Sequence, residues 1–270
     1  MNRVVRQFRS LGKSGRCGLV AYFTCGDPGV QESVEIALAL ERAGADVLEL
    51  GVPFSDPIAD GPVIQAAAQR ALERGTTMAD VLRIARAIRE RSEIPLVAFS
   101  YLNPVLRYGA SRFAADARMA GFDSVLLTDL PPEAAAEIRG PIRDAGLGTV
   151  FLLAPTSTAE RIRLADRASD GFVYYVSTTG VTGARRELDP RLLDRLGEIR
   201  PKVKNPLAVG FGISKREHWE ALAGRCDAVV VGSAIVRAAA DGEPAGAAGR
   251  AASVVREILG TNGSDLGGRR

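Results

Sequence analysis

The chain has 270 residues, of which 46% are hydrophobic and 25% charged, and its formal net charge is +3. These values are ordinary for a globular protein and allow one large domain or two small ones. Lysine and arginine are scattered, which argues against a nucleic-acid partner. No apolar run is long enough for a membrane span or a signal peptide, and the three cysteines form no CxxC pair. We therefore expect a cytoplasmic protein in a reducing compartment.

Short apolar runs alternate with stretches of helical periodicity along most of the chain. An amphipathic stretch at the N-terminus predicts a short extra helix before the first strand. Strands are predicted at residues 18–24, 47–50, 95–99, 124–127, 149–153, 172–176, 207–209 and 228–231. Helices are predicted at 30–43, 64–74, 78–90, 111–120, 132–145, 158–168, 190–199, 215–223 and 247–259, the fifth interrupted around Gly140 and Pro141.

Eight predicted strands, each followed by at least one helix, indicate parallel strands with right-handed crossovers. In a chain of 270 residues this pattern predicts an α/β fold, a (β/α)8 TIM barrel. An open doubly wound sheet is the alternative, and the lack of a GxGxxG after the first strand weakens its dinucleotide-binding version. No linker divides the chain, so we expect a single barrel domain over residues 1–260 and a flexible tail over 261–270.

The second predicted strand carries a carboxylate. Val47 and Glu49 share one face of it, and Leu48 and Leu50 share the other. A strand that is apolar on both faces is covered on both faces, so we expect Glu49 to be buried at the carboxyl end of its strand. Asp60 follows in a loop rich in Gly, Pro and Asp. A buried carboxyl group near a more solvent-exposed one is typical of a division between acid and base roles. The alternative is that Glu49 forms an ion pair with an arginine in the core.

Glycine-rich loops follow the last three predicted strands, at residues 178–183, 210–214 and 232–236. The N–H groups at a helix start attract a phosphate, and barrels often bind phosphate after strands seven and eight. One such loop is weak evidence, because tight turns need glycine anyway. Three in consecutive units at one end of a barrel predict a phosphate-binding site.

The reactive residues that are absent narrow the chemistry. None of the lysines, at positions 13, 202, 204 and 215, lies on a predicted strand, which argues against a Schiff-base aldolase. The single histidine, His218, is predicted to lie in a helix with a surface or packing role, and no metal site is expected. No histidine accompanies a cysteine at a strand end, so a thiolate nucleophile is not expected. Proton transfer by carboxylates on a phosphorylated substrate remains.

The segment around these carboxylates belongs to a long and specific motif. The long motif is 48–57 (LELGVPFSDP) with 59–62 (ADGP) and 64–65 (IQ). Shorter matching motifs are 24–28 (TCGDP), 101–104 (YLNP), 180–183 (GVTG), 210–213 (GFGI) and 232–236 (GSAIV). With these motifs the chain resembles the alpha subunit of tryptophan synthase, and the resemblance extends in order from about residue 4 to 259. Cys25, where the family usually has a small or aliphatic residue, and the arginine-rich tail depart from it.

The resemblance implies a lyase of tryptophan biosynthesis that cleaves indole-3-glycerol phosphate to indole and glyceraldehyde 3-phosphate by a retro-aldol reaction. Glu49 fits the group that cycles a proton, since burial brings a carboxyl pKa towards neutrality, and an ionised Asp60 fits the acceptor of the indole N–H. Residues expected around the substrate are Phe23, Phe99, Leu126, Phe211 and Ile64 for indole, Tyr174 near the carboxylates, Gly183, Gly212, Gly232 and Ser233 for phosphate, and Thr182 on a closing loop at 180–188.

The resemblance also implies a partner. The family passes indole through a tunnel to a beta subunit that holds pyridoxal phosphate, in an alpha2beta2 complex, while the alpha chain carries no cofactor. Residues 53–60, Asn103 and the loop after strand six match the family's docking parts. Two alternatives remain: a stand-alone lyase that releases indole, and a non-catalytic barrel that only activates a beta subunit. The presence of both Glu49 and Asp60 argues against the second.

Overall fold

A computed structural model of the chain describes residues 2–176, 190–210 and 212–261. These residues form one parallel sheet with the strand order β5-β4-β3-β2-β1-β9-β8-β7-β6. The two outermost strands are consecutive pieces of one segment, so the sheet curls into a nearly closed barrel, as the sequence predicted. The strands are β1 (Gly18–Thr24), β2 (Val47–Gly51), β3 (Leu96–Ser100), β4 (Ser124–Leu127), β5 (Gly148–Val150), β6 (Leu152–Leu153), β7 (Val173–Val176), β8 (Leu207–Gly210) and β9 (Ala228–Val231).

Helices surround the barrel. Within the described ranges they are α1 (Arg3–Ser14), α2 (Val30–Ala43), α3 (Pro62–Glu73), α4 (Met78–Arg89), α5 (Leu102–Tyr108), α6 (Ala110–Ala120), α7 (Ala136–Asp144), α8 (Ala159–Ala168), α9 (Pro190–Ile199), α10 (Arg216–Leu222), α11 (Ser233–Ala240) and α12 (Ala247–Leu259). Short 3-10 turns occupy Pro132–Ala134, Arg200–Lys202 and Pro244–Gly246. No helix of this part of the chain is long and apolar enough to cross a bilayer.

Alternation along the strands divides the apolar core into two layers. In β1, Val20 and Tyr22 face the barrel interior, whereas Leu19 and Phe23 pack outward against the helices. Such two-sided burial is expected of a parallel barrel whose outer face is covered by helices. Phe23 was predicted to line the indole slot, and that prediction is wrong, because its side chain points to the helix layer.

Helix α1 covers the amino-terminal end of the barrel. Val4, Phe8 and Leu11 lie on one face of this helix and belong to the interior apolar cluster. The Phe8 ring contacts the Phe172 ring with centroids 5.2 Å apart. The predicted N-terminal helix therefore closes the amino-terminal end, and the barrel interior opens towards the carboxyl ends of the strands.

Aspartates tie neighbouring strands together at that same amino-terminal end. Each precedes an alternate strand, and each accepts a hydrogen bond from the backbone N–H of the first or second residue of the adjacent strand. The pairs are Asp46 with Leu19 at 2.9 Å, Asp123 with Leu96 at 3.0 Å, Asp170 with Thr149 at 3.4 Å and Asp227 with Leu207 at 2.7 Å. Carboxylates that accept backbone N–H groups in this way stabilise the face of the barrel opposite the cavity.

The predicted strand at 149–153 is divided at Phe151. Its N–H donates to Ser169 Oγ at 3.1 Å instead of extending the ladder with β4, while its carbonyl accepts from Tyr174. The segment therefore leaves one neighbour and joins the next, as the closure of the barrel requires. A side chain distant in sequence makes this break, so the local pattern does not reveal it.

Three helices differ from the sequence prediction. Helix α11 was not among the predicted helices, which pass from 215–223 directly to 247–259. The interruption expected at Gly140 and Pro141 is absent, since α7 continues through Pro141 within the described residues. Buried Ile138 and Ile142, four residues apart, anchor the helix across the proline. Helix α5 was not predicted, because Pro104 in the YLNP motif is typical of a loop. The proline is tolerated because it lies in the first turn of the helix.

Candidate active site

A cavity with about 650 Å³ of empty volume, part of it open to solvent, lies at the carboxyl ends of the strands. Barrel enzymes place their chemistry at this end. The wall is mostly apolar and carries a few polar groups, which is the usual composition of a ligand site. In the described part of the chain it is lined by Tyr22, Glu49, Asp60, Ile64, Phe99, Tyr174, Gly212, Ile213, Ser214, Val230, Gly232, Ser233, Ala234 and Arg237.

Most of the residues expected around a substrate meet in this cavity. Leu126 belongs to the interior cluster but does not line the cavity. Thr182, Gly183, Phe211 and the loop 180–188 lie outside the described residues. The cavity brings together Glu49, Asp60, Tyr174, Phe99, Ile64, Gly212, Gly232 and Ser233.

Glu49 is fully buried in the wall of the barrel. It lies on β2, which places its side chain on the interior face between β1 and β3. Neither Oε1 nor Oε2 has a hydrogen-bond partner among the described residues, so no arginine of this part of the chain neutralises it. Burial raises the pKa of Glu49 from 4.5 to about 8. With this raised pKa, Glu49 is mainly protonated at neutral pH. The alternative, an ion pair with an arginine in the core, is absent among the described residues.

Asp60 is less buried and is hydrogen-bonded. It lies in the loop between β2 and α3, and its Oδ2 accepts a hydrogen bond of 3.0 Å from the Tyr101 hydroxyl. The same hydroxyl accepts from the N–H of Ala59 at 2.9 Å, so it holds both side chain and loop backbone. Burial raises the pKa of Asp60 to about 6, and the hydrogen bond from Tyr101 opposes that rise. Asp60 is therefore mainly ionised at pH 7, while Glu49 is mainly protonated.

Two tyrosines of the site were not identified from the sequence. Tyr101 follows β3 within the YLNP motif, and its position one residue beyond a strand end was the available signal. Tyr22 lies one residue from Phe23, so choosing the other parity of β1 would have found it. The Tyr22 ring contacts Phe99 edge-on with centroids 5.0 Å apart. Because burial raises the pKa of Tyr22 well above 10, its hydroxyl is a neutral hydrogen-bonding group.

Glycines at two strand ends make room for tyrosine hydroxyls. A Cβ on Gly51 would overlap the Tyr22 hydroxyl, and a Cβ on Gly210 would overlap the Tyr174 hydroxyl. Close approach of this kind is a reason for glycine inside a strand. Burial also raises the pKa of Tyr174 well above 10, so it too stays neutral beside the carboxyl groups.

The far side of the cavity presents backbone donors. Gly212 adopts a φ of 79°, which favours glycine, and Gly232 precedes α11 without any side-chain cap. The first N–H groups of α11 have no acceptor within their own helix, as at every helix start. The N–H of Ser214 donates to Nδ1 of His218 at 3.4 Å, and His218 is buried, so of its two predicted roles the structure shows packing and not a surface position. Residues 2–176, 190–210 and 212–261 contain no group of three or more His, Cys, Asp or Glu side chains that could bind a metal.

The fold and the cavity together define a (β/α)8 barrel with two carboxyl groups of unequal pKa in an apolar site. The family model described as "Tryptophan synthase alpha chain" matches residues 8–259. The chain therefore belongs to the tryptophan synthase alpha chain family.

Relatives and solved structures agree with this membership. The tryptophan synthase alpha chain of Solibacter usitatus is 55% identical over 237 residues, which cover 88% of this chain and 89% of the relative. That of Burkholderia multivorans is 45% identical over 259 residues and 96% of each chain. The crystal structure of tryptophan synthase subunit alpha from Legionella pneumophila has a TM-score of 0.86 at 36% identity, covering 97% of this chain and 100% of that one. A structure of the tryptophan synthase a2b2 complex from Pyrococcus furiosus has a TM-score of 0.86 at 40% identity, covering 90% and 98%.

Proposed function

We propose that this chain cleaves indole-3-glycerol phosphate to indole and glyceraldehyde 3-phosphate. The observation that carries the proposal is the buried Glu49, which has a raised pKa and no hydrogen-bond partner among the described residues and lies in one cavity with the ionised Asp60. Burying an unpartnered carboxyl costs stability, and such a cost is typical of a group used in catalysis. Family membership agrees with this reaction.

The proposed mechanism uses one carboxyl group for two proton transfers. Protonated Glu49 delivers its proton to C3 of the indole ring, which converts the ring into a leaving group. The C–C bond to the side chain then breaks, its electron pair restores the aromatic indole, and the adjacent hydroxyl becomes the aldehyde carbonyl. That hydroxyl returns its proton to the Glu49 carboxylate, so the enzyme ends as it began.

Asp60 stabilises the charge that forms in between. Protonation at C3 makes the indole N–H strongly acidic, and an ionised carboxylate that accepts its hydrogen bond stabilises this intermediate. Asp60 lies on a loop that the hydrogen bond from Tyr101 holds in place, and from there its carboxylate reaches the N–H edge of the indole ring. The phosphate is held by the N–H groups of Gly212, Gly232 and Ser233, and Ile64, Phe99 and Tyr174 surround the ring.

Paired variants test the assignment. We expect Glu49→Gln and Asp60→Asn to lower turnover about 10²- to 10⁴-fold while leaving the fold intact, since each amide keeps the shape but not the proton chemistry. Indole release is measured at saturating substrate, with circular dichroism as the control for folding. Turnover of either variant within a few-fold of wild type would show that its carboxyl group is not catalytic.

We further propose that the chain works with a beta subunit that holds pyridoxal phosphate, in an alpha2beta2 complex. The solved structure from Pyrococcus furiosus is described as such an a2b2 complex. In this chain, Ile58 and Leu106 leave large apolar side chains exposed, on loop 53–60 after β2 and on α5 after β3. Phe54 and Tyr101, with ring centroids 5.2 Å apart, join these two segments. The non-catalytic activator is disfavoured because both carboxyl groups lie in the cavity.

We place the protein in the cytoplasm and treat residues 1–260 as one domain. Cys17, Cys25 and Cys226 are all free thiols, which agrees with a reducing compartment. One continuous barrel accounts for the described residues, and the tail beyond 261 lies outside them.

A further inference from the structure

The cavity wall carries one cation among the described residues, Arg237. It lies on α11, four residues after Ser233, and residues four apart share one face of a helix. Ser233, Ala234 and Arg237 all line the cavity. Arg237 therefore belongs to the same wall as the free N–H groups at the start of α11.

Arg237 is exposed and is not engaged by a carboxylate in the described chain. Asp241 and Glu243, the acidic residues nearest to it in the following sequence, do not form an ion pair with it. Most arginines that anchor this fold behave differently: Arg70, for example, binds Asp27 through two hydrogen bonds of 2.9 and 2.6 Å. An unpaired arginine beside backbone donors is available for a ligand anion, since its planar fork matches phosphate oxygens.

The charges of the cavity explain why such a cation is useful. Asp60, ionised at neutral pH, gives the site a negative group that repels a phosphate dianion entering the same cavity. Backbone N–H groups bind a phosphate but carry no net charge. A positive side chain on the α11 side of the cavity attracts the phosphate to that side and turns the rest of the substrate towards Glu49 and Asp60.

We propose that Arg237 is a substrate-binding residue whose guanidinium attracts and holds the phosphate group at the start of α11. This inference rests on the proposed function, because it assumes a phosphorylated substrate in this cavity. It assigns a side-chain charge to a phosphate site that otherwise consists of backbone donors. Arg237 takes no part in proton transfer, so it contributes to substrate capture and not to the bond-breaking step.

The test compares Arg237→Gln and Arg237→Lys with Arg86→Gln. Arg86 is an exposed arginine on α4, outside the cavity wall, and its substitution changes the net charge equally. KM and kcat for indole-3-glycerol phosphate are measured at low and high salt. We expect Arg237→Gln to raise KM about 3- to 10-fold at low salt with kcat within about two-fold, and the difference to shrink at high salt through screening. Arg237→Lys should retain most of the affinity, and Arg86→Gln should leave KM unchanged.

A binding measurement separates this inference from the proposed function. Inorganic phosphate and an indole alcohol without phosphate are titrated into wild type and Arg237→Gln. Weaker binding of phosphate alone, with equal binding of the alcohol, supports the inference even if wild type shows no turnover, in which case only the proposed reaction fails. Equal phosphate binding by both proteins, equal KM values, or the same change in Arg86→Gln would overturn the role of Arg237.

Discussion

Tyr101 controls the second carboxyl group of the site. Its hydroxyl donates to Asp60 and accepts from Ala59, so it positions the carboxylate and favours the ionised form. With Asp60 required as an anion and Glu49 as an acid, kcat/KM should rise through a pKa of about 6 and fall through one of about 8.

We expect Tyr101→Phe to raise the pKa of Asp60 and so to shift the acid limb of this profile upward. A hydrogen bond to a charged group contributes about 1.5 to 3 kcal/mol, so kcat/KM near pH 6.5 should fall about 4- to 40-fold. The control is Tyr108→Phe, which removes a tyrosine–aspartate hydrogen bond of 2.7 Å to Asp116 outside the cavity wall. An unchanged acid limb in Tyr101→Phe would mean that this contact does not set the ionisation of Asp60.

Glu49 lowers the stability of the fold that it serves. Its pKa rises from 4.5 in the unfolded chain to about 8 in the folded protein, so the folded state keeps a proton that the unfolded chain releases. Wild type should therefore lose stability as the pH rises from about 4.5 towards 8. Glutamine does not titrate and avoids this loss.

We expect Glu49→Gln to be more stable than wild type by a margin that grows about 3 to 4 kcal/mol between pH 5 and pH 8. Asp60 is common to both proteins, so its titration largely cancels in the difference. Urea unfolding across this pH range measures the margin. A margin independent of pH would contradict a raised pKa for Glu49, whatever its catalytic role.

Helix α3 carries part of the cavity and is fixed by an ion pair. Asp60 lies two residues before it and Ile64 in its first turn, so its position shapes the site. Further along, Arg70 binds Asp27 on the loop after β1, and the Asp27 side chain is only 3% exposed. Removing the arginine would leave a buried carboxylate with Arg74 alone, at 3.8 Å.

We expect Arg70→Met to lower the free energy of unfolding by about 1 to 3 kcal/mol. This loss is smaller than for a fully buried ion pair because Arg70 is partly exposed. We also expect kcat/KM to fall several-fold, because α3 carries part of the cavity. The control is Arg161→Met, which removes an equally bidentate but exposed pair with Glu133 and should cost less than about 0.5 kcal/mol. Chemical denaturation measures both. Equal losses in the two variants would show that burial of Asp27 adds nothing.

The sequence alone predicted those features that depend on a pattern of neighbouring residues. Alternation in β2 placed Glu49 inside because a charged residue among apolar neighbours marks its face. In β1 the same reasoning failed, since Tyr22 and Phe23 are both large and both faces are covered. The break at Phe151 and the contact between Tyr101 and Asp60 depend on partners 18 and 41 residues away, which no local pattern contains.

At the scale of the whole molecule, the proposed docking surface lies at the same end of the barrel as the cavity. The proposed docking surface comprises residues 53–60, Asn103 and Leu106, with Ile58 85% exposed. An exposed apolar side chain of this size beside the site is typical of an interface. Because Tyr101 contacts the backbone of this loop, docking and catalysis share one segment.

We expect Ile58→Asp to weaken binding of a beta subunit at least 10-fold and to remove most of its stimulation of indole release, while the activity of the isolated chain changes little. The control is Met119→Asp on α6, which is 68% exposed and lies outside the proposed surface. Titration calorimetry and coupled assays measure binding and stimulation. Equal binding by both variants would exclude Ile58 from the interface.

The most direct test of the proposed reaction follows indole and glyceraldehyde 3-phosphate together after the purified chain is mixed with indole-3-glycerol phosphate. We expect the two products in equal amounts, slowly from the chain alone and faster with a beta subunit, and almost none from Glu49→Gln. Faster release by the chain alone than with a partner would favour the stand-alone lyase. Failure to form either product above the buffer rate, with and without the beta subunit, would contradict the assignment of this barrel as a lyase.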